Sequence, residues 1–409
     1  MKVLVNAYAV APHLGSEPGM GWNWCSRLAE FHELYIITEG EFRLQIEQVL
    51  ENFPFRDNMH FYYLPVSDRV RKMCWNQGDW RFYIHYRRWQ KRALQLGRQL
   101  VEEEKIDLIH QLNMVGFREP GYLWRIKGPR YIWGPIGGMA ITSLKFFRES
   151  PLRERLRVFL KNQLNRIQAH GYRVRRAARR AETVFAATPD EQRVVSAFPG
   201  CHVVQINETA AESFPRITPH ASDRDDVFEL LWVGRMIESK QLALALRILS
   251  RLDAGIRLRV VGGGEKAQVI RYQRLAESLG VQDRVIWEGL VQKTEVQRLM
   301  QDADVFLFTS VREATSTVVL EAISNCLPVV CFNICGFGPL VDDTIGRKVT
   351  LTDPERAVED FAAVIDDLYH HRETLAELSR NCLQRREELS WERKMEKVLT
   401  YYRPGHSGR

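Results

Sequence analysis

Two carboxylates and two cations in the second half of this 409-residue chain have the types and spacing to do chemistry together. Glu313 and Glu321 stand eight positions apart in Ser310-Val-Arg-Glu-Ala-Thr-Ser-Thr-Val-Val-Leu-Glu321. Carried along a helix, eight residues rise about 12 Å and return to within about 80° of the same face. Carboxylates so placed would hold the two ends of an elongated ligand. Between them Thr315, Ser316 and Thr317 lead into a helix, and the first N–H groups of a helix suit a phosphate. The plainer reading is one carboxylate at a helix N-terminus and one on its surface. Upstream, a strand runs into Gly234-Arg235-Met-Ile-Glu-Ser-Lys240. Gly234 permits a tight turn, and Arg235 and Lys240 follow a strand's carboxyl end, where open α/β sheets bind ligands. They would neutralise a diphosphate, arginine by bidentate contact and lysine as a point charge.

The first half holds a looser set. Strand Lys2–Tyr8 leads into His13-Leu-Gly-Ser-Glu-Pro-Gly-Met-Gly-Trp22, in which Gly15, Ser16, Glu17, Gly19 and Gly21 read as a loop able to approach a phosphate or an acceptor closely. Asp107-Leu-Ile-His-Gln111 places His110 near a strand end, either as a ligand contact or as a satisfied structural residue. Gly134-Pro-Ile-Gly-Gly138 is a further strand-end loop.

The elements that must position these residues are short apolar runs alternating with helical patterns. Strands are expected at 2–8, 34–38, 60–66, 107–110, 130–133 and 183–188, then at 228–233, 257–261, 284–287, 304–309 and 328–332. Continuous rather than alternating hydrophobicity fits strands buried on both faces of a parallel sheet. Two rounds of strand–helix alternation predict an α/β chain of two doubly wound Rossmann-like domains, 1–212 and 225–388. The polar, proline-bearing stretch 208–227 is the expected boundary. A final helix near Trp391–Tyr402 begins after Ser390, an expected N-cap.

With 58 Lys/Arg against 51 Asp/Glu, the net charge is +7. The excess sits in the first half, which is +10 over residues 1–216 against −3 beyond. Twelve Lys/Arg between 145 and 180 face only Glu149 and Glu154. There Leu152, Leu156, Phe159, Leu160, Leu164 and Ile167 recur at helical spacing on a basic amphipathic helix. Two readings stand open: a solvated face over a core stripe, or contact with anionic lipid headgroups. No apolar run reaches the length of a membrane span. The opening residues read as a first strand, not a leader. Seven scattered cysteines without a CxxC fit free thiols in a reducing compartment, and no His/Cys cluster completes a metal site.

Taken in order, Gly234-Arg235-x4-Lys240, Val260-Val-Gly-Gly-Gly-Glu265, Trp287-Glu-Gly-Leu-Val291, Ala303-Asp-Val-Phe-Leu-Phe-Thr-Ser310 and Glu313-x7-Glu321 with Leu327-Pro-Val-Val330 resemble glycosyltransferase family 4. The likeness covers about 100 residues and extends more loosely over 1–210. It implies a GT-B fold, two Rossmann-like domains facing a central cleft, with the last helix, about 391–409, joining the first domain. It implies retaining transfer from a nucleotide-sugar, UDP-, GDP- or ADP-linked, with no cofactor and no catalytic metal. Asp302-Ala-Asp304 only imitates a metal-binding DxD.

Residue by residue, the resemblance gives Arg235 and Lys240 the donor diphosphate, Glu313 the sugar hydroxyls and Glu321 the ribose hydroxyls. The Leu290–Val291 backbone would border the base, and Gly263 and 315–317 would complete the donor site. His110 matches the family's cleft histidine, and 15–21 its glycine loop on the acceptor side. One departure is Ala314-Thr-Ser-Thr317 where the family often has glycines after the first glutamate, which leaves the donor sugar open.

The expected function is therefore sugar transfer to a hydroxyl acceptor, a glycan or lipid-linked glycan of cell-surface polysaccharide. The expected place is the cytoplasm, peripheral at the inner membrane face. A non-catalytic sugar-nucleotide binder, a GT-B phosphorylase and an epimerase share the motifs. An oxidoreductase would need Gly-x-Gly-x-x-Gly, which 15–21 does not supply. No nucleic-acid module is visible.

Overall fold

The computed structural model describes residues 1–76, 79–211, 217–219 and 227–404. The chain divides into two compact units. The first comprises Met1–Ala140, Leu164–Glu208 and Met395–Arg409, the second Ile141–Gln163 and Thr209–Lys394.

In the first unit, strands β1 (Lys2–Ala7), β2 (Glu33–Thr38), β3 (Met59–Tyr63), β4 (Leu108–Asn113), β5 (Arg130–Ile136), β6 (Thr183–Ala186) and β7 (Val203–Gln205) form a sheet in the order β3-β2-β1-β4-β5-β6-β7. The second unit's sheet contains β8 (Phe228–Val233), β9 (Ile256–Val261), β10 (Val285–Gly289), β11 (Val305–Phe308), β12 (Val329–Phe332) and β13 (Gly346–Val349), ordered β10-β9-β8-β11-β12-β13. Every strand pairs parallel with its neighbours. Each order reverses once, between β1 and β4 in one sheet and between β8 and β11 in the other. The carboxyl side of such a reversal is the crevice where open α/β sheets bind ligands.

The central strands are buried on both faces, as their unbroken Val/Leu/Ile/Phe runs require: Val3–Val5, Val305–Leu307 and Val329–Phe332 are all inaccessible. Sequence placed eleven of these thirteen strands. It missed β7, three half-buried residues at one sheet edge, and β13, an edge strand interrupted by Arg347 and Lys348.

Ser390 caps the last helix, Trp391–Tyr402, its hydroxyl accepting from Arg393 N at 3.3 Å. Much of the expected boundary stretch, residues 212–216 and 220–226, lies outside the described residues, as do 405–409 of the expected C-terminal segment. Segment 141–163, read with the first domain from sequence, groups with the second unit. The reason is local. Phe146 stacks edge-on against Phe332 at 5.5 Å, Ser150 donates to Glu238 at 2.8 Å, and the Phe146 carbonyl accepts from Gln241 at 2.9 Å.

Candidate functional site

The second unit gathers the candidate donor residues at the carboxyl end of its reversal. After β8 the chain turns through Gly234 and Arg235 into a short 3-10 turn, Glu238–Lys240, and Gln241 takes a left-handed φ of 53° before the next helix. After β11, residues 309–316 cross beside that turn. Val311 N donates to the Ser239 carbonyl at 2.9 Å, and the Thr309 hydroxyl reaches the carbonyls of Lys240 at 2.8 Å and Gln241 at 3.1 Å. Trp232 Nε1 in turn donates to that hydroxyl at 3.1 Å. These bonds fix the two segments as one block.

On it the Lys240 ammonium pairs with the Glu313 carboxylate. It also lies 5.2 Å from the centre of the Phe308 ring. Ser310 Oγ donates to the same Glu313 oxygen at 2.9 Å. Glu313 N lies 3.4 Å from Cys335 Sγ, and Gly336 N donates to the Ala314 carbonyl at 3.0 Å, so the loop around the carboxylate is also anchored by the segment following β12. Arg235 is exposed beside this block.

The loops following β8, β9 and β10 are laced by backbone bonds: Gly234 N to Val261 O at 3.0 Å, Met236 N to Gly263 O at 2.8 Å, and Gly262 N to Gly289 O at 2.7 Å. Gly262 has φ +129°, and a Cβ there would sit 1.9 Å from the Gly234 carbonyl oxygen. Sequence selected Gly234 and Gly263, yet Gly262 is the position where no side chain fits. Leu290 lies over Gly263, its side chain 3.0 Å from where a Cβ would stand, and is 85% exposed next to Val291.

The helix after Glu313 is Thr317–Ser324, with Ser316 at its N-cap. Its first N–H groups have no intrahelical acceptor, as at any helix start. Thr315 and Ser316 are buried at its mouth. Glu321 lies on this helix, 3.9 Å from Lys293. Glu313 precedes it, on the loop before the helix start expected near Thr317, so the two carboxylates are not carried on one helix. The missed members are Phe308, Ser310 and Cys335; the sequence signal for the first two was their place in the strand-end motif.

Asp302 and Asp304 are occupied by structural bonds. Asp304 accepts from Glu229 N at 2.7 Å and pairs with Arg372 at 3.5 Å, and Asp302 pairs with Arg298 at 2.5 Å. Among the described residues no group of three or more His, Cys, Asp or Glu side chains could hold a metal ion.

In the first unit two expectations are corrected. The glycine segment is not an open loop, because Ser16–Leu28 is a helix and only Gly15 precedes it. A Cβ at Gly19 would lie 1.8 Å from the Leu14 carbonyl oxygen, and one at Gly21 2.3 Å from that of Ala9. These glycines let the helix fold back against its own entry loop. Ser16 starts it at φ 58°. Glu17 accepts from Val115 N at 2.8 Å, and burial raises its carboxyl pKa. Asn113 completes the clamp, donating to the Ala9 carbonyl at 2.8 Å and accepting from Ala9 N at 3.2 Å.

His110 is not at a strand end either. It sits inside β4, wholly buried among Trp24, Phe185 and Tyr402. Nε2 donates to the Gly134 carbonyl at 2.6 Å, so Nδ1 must accept from the Tyr402 hydroxyl, also at 2.6 Å. Burial pushes its pKa down to about 4, and the ring is a neutral structural group.

Two parallel-sheet α/β units with these topologies define a GT-B fold. Solved structures of that fold superpose along the whole chain. The lipopolysaccharide outer core galactosyltransferase WaaB matches with a TM-score of 0.65 at 14% identity, over 98% of this chain and 100% of that one. Anabaena Alr3699/HepE in complex with UDP matches at 0.62 and 14%, over 98% and 99%. In sequence, residues 216–385, within the second unit, match the family Glycosyl transferases group 1. Curated relatives include a D-inositol 3-phosphate glycosyltransferase of Paenarthrobacter aurescens, 27% identical over 190 residues, 45% of this chain and 46% of the relative. The lipopolysaccharide glucosyltransferase WaaG of Escherichia coli is 33% identical over 118 residues, 28% of this chain and 30% of that protein. The matched stretches thus span about half or less of these curated relatives.

Proposed function

We propose that this protein is a glycosyltransferase that moves a sugar from a nucleotide-sugar to a hydroxyl acceptor with retention at the anomeric carbon. The observation that carries the reading is the Lys240–Glu313 block beside Arg235 at the carboxyl end of the β8/β11 reversal, inside the stretch matching glycosyl transferases group 1. In the reaction the bond from the anomeric carbon to the diphosphate oxygen breaks. A bond to the acceptor oxygen forms, and the acceptor's proton passes to the departing diphosphate oxygen. The negative charge developing on the diphosphate is met by Arg235, by Lys240, which the block holds in place, and by the N–H groups opening the helix Thr317–Ser324. Glu313 holds sugar hydroxyls and Glu321 the ribose hydroxyls, while the Leu290–Val291 loop borders the base. The electrostatics are supplied by side chains, so turnover is expected without a metal.

Relatives that act on lipopolysaccharide and the cationic excess of the first half support an acceptor that is a glycan or lipid-linked glycan of cell-surface polysaccharide, met at the cytoplasmic face of a membrane. The test is a thermal-shift screen against UDP-, GDP- and ADP-sugars, followed by donor hydrolysis and transfer with the stabilising donor. Stabilisation by one base and release of its diphosphate are expected. Binding without release of sugar would instead mark a sugar-nucleotide binder.

A further inference from the structure

The helix Leu152–Ala169 buries the wrong face for an ordinary surface helix. Its inward residues are Val158, Asn162, Asn165 and Ala169. The two asparagines define that face. Asn162 donates to the Thr142 carbonyl at 2.8 Å and accepts from Thr142 N at 3.0 Å, and Asn165 donates to the carbonyls of Gly138 at 3.0 Å and Ala140 at 3.1 Å. With the asparagines inside, the large apolar residues are turned out. Leu152, Leu156, Phe159, Leu160, Leu164 and Ile167 are 44–75% exposed. The row expected to serve as a core stripe is not in the core.

At about 100° per residue the six fall within an arc of about 140°. Arg153 and Arg157 lie along one edge of that arc, and Arg155 and Arg166 along the other. All four are exposed. The helix carries one acidic residue, Glu154, which pairs with Arg157 at 3.3 Å.

We propose that this helix is a membrane-docking surface, lying in the plane of an anionic bilayer with its apolar row among the acyl chains and its arginines on the headgroup phosphates. Charge complementarity selects the occupant. A protein partner covering a Leu/Phe/Ile row needs no cationic border on both edges, whereas an anionic lipid surface matches both elements at once. Contiguous exposed apolar side chains of this extent mark an interaction site rather than ordinary surface. The inference concerns a surface distinct from the donor residues and stands whether or not sugar transfer is the reaction.

The test uses the full chain with sedimented vesicles, either phosphatidylcholine alone or phosphatidylcholine mixed with phosphatidylglycerol. Binding is expected to the mixed vesicles and to weaken as salt rises. The triple variant Leu156→Gln, Phe159→Gln, Leu160→Gln should lose at least about 10-fold of that binding, since three side chains no longer enter the acyl region. Its melting temperature and its shift with whichever nucleotide-sugar stabilises the wild type should match wild type, because the altered residues are exposed. A wild type that ignores mixed vesicles, or a triple variant that binds them equally, overturns the proposal. So does sedimentation showing a dimer that the triple variant converts to monomer with no lipid binding in either protein, which would make a second copy the occupant. Absence of a shift with every UDP-, GDP- and ADP-sugar, with vesicle binding intact, would instead count against the transfer reading alone.

Discussion

Lys240 and Glu313 meet as an ion pair although 73 residues separate them, one carried on the turn after β8 and the other on the loop after β11. The pair is held by a serine hydroxyl, an aromatic face and the backbone bonds that lace the two segments. On the proposed reading, a diphosphate arriving at Lys240 would compete with Glu313 for the ammonium and free the carboxylate for hydroxyl groups. The two residues should therefore act as a unit.

Lys240→Ala, Glu313→Ala and Arg235→Ala are each expected to lower turnover at least about 10²-fold, the scale of losing one preorganised charge contact. The Lys240→Ala/Glu313→Ala double variant should fall by clearly less than the product of the single losses. Steady-state kinetics on all four proteins check this. Near-wild-type turnover in the three single variants would remove the site assignment.

Gly262→Ala should be poorly tolerated, because the residue has φ +129° and its Cβ would meet the Gly234 oxygen at 1.9 Å. Backbone strain of about 1–3 kcal/mol is expected in addition to the clash. Gly15→Ala is the control, since nothing lies within 4 Å of its Cβ. Denaturant unfolding should separate the two, and Gly262→Ala should also weaken the stabilisation given by the donor.

His110 predicts a pH dependence of stability. Its folded pKa of about 4 lies below the ordinary 6.5, so between these values the unfolded chain binds a proton that the folded chain refuses. Stability is therefore full above pH 6.5 and declines as pH falls toward 4, by about 3 kcal/mol at most from this residue. His32, also pushed down to about 4 by burial, adds to the slope. His110→Gln should remove about one proton from the slope in urea unfolding. Its turnover per folded molecule should change by less than about 10-fold, well under what loss of a general acid or base produces. A larger drop would restore the ring to the reaction.

Chelation is expected to leave turnover within about 2-fold, in contrast to sites where a metal carries the leaving group's charge. Dialysis against EDTA followed by assay checks it. A collapse of activity restored by Mg²⁺ or Mn²⁺ would contradict the reading of Arg235 and Lys240.

The grouping of the candidate donor residues was legible in the sequence because they sit on strand-end loops in a fixed order: Gly234, Arg235 and Lys240 after β8, Glu313 after β11. Parallel strands buried on both faces advertise themselves as apolar runs, which the half-buried edge strands β7 and β13 could not. The errors share a cause. Gly19, Gly21 and His110 have residue types that could serve either a ligand or packing, and only tertiary neighbours decide. Leu14 and Ala9 carbonyls claim the glycines, while Gly134 and Tyr402 claim the imidazole. The row Leu152–Ile167 was legible as amphipathic but not as outward-facing. Helical spacing locates an apolar face without saying whether anything covers it, and here two asparagines took the inside.

The Tyr402–His110 bond also sets an order of assembly. Arg130 reinforces it, donating to the carbonyls of Tyr401 at 2.8 Å and Tyr402 at 2.5 Å. The seven strands of the first unit have all been synthesised by residue 205, but the tyrosine that satisfies its buried histidine is made roughly 200 residues later. At about 5–20 residues per second, that is a wait of about 10–40 s. The unit begun first is thus finished last. A nascent chain holds an incomplete N-terminal core throughout translation of the second unit, and a C-terminal truncation before Tyr402 should appear as a folding defect of the N-terminal sheet.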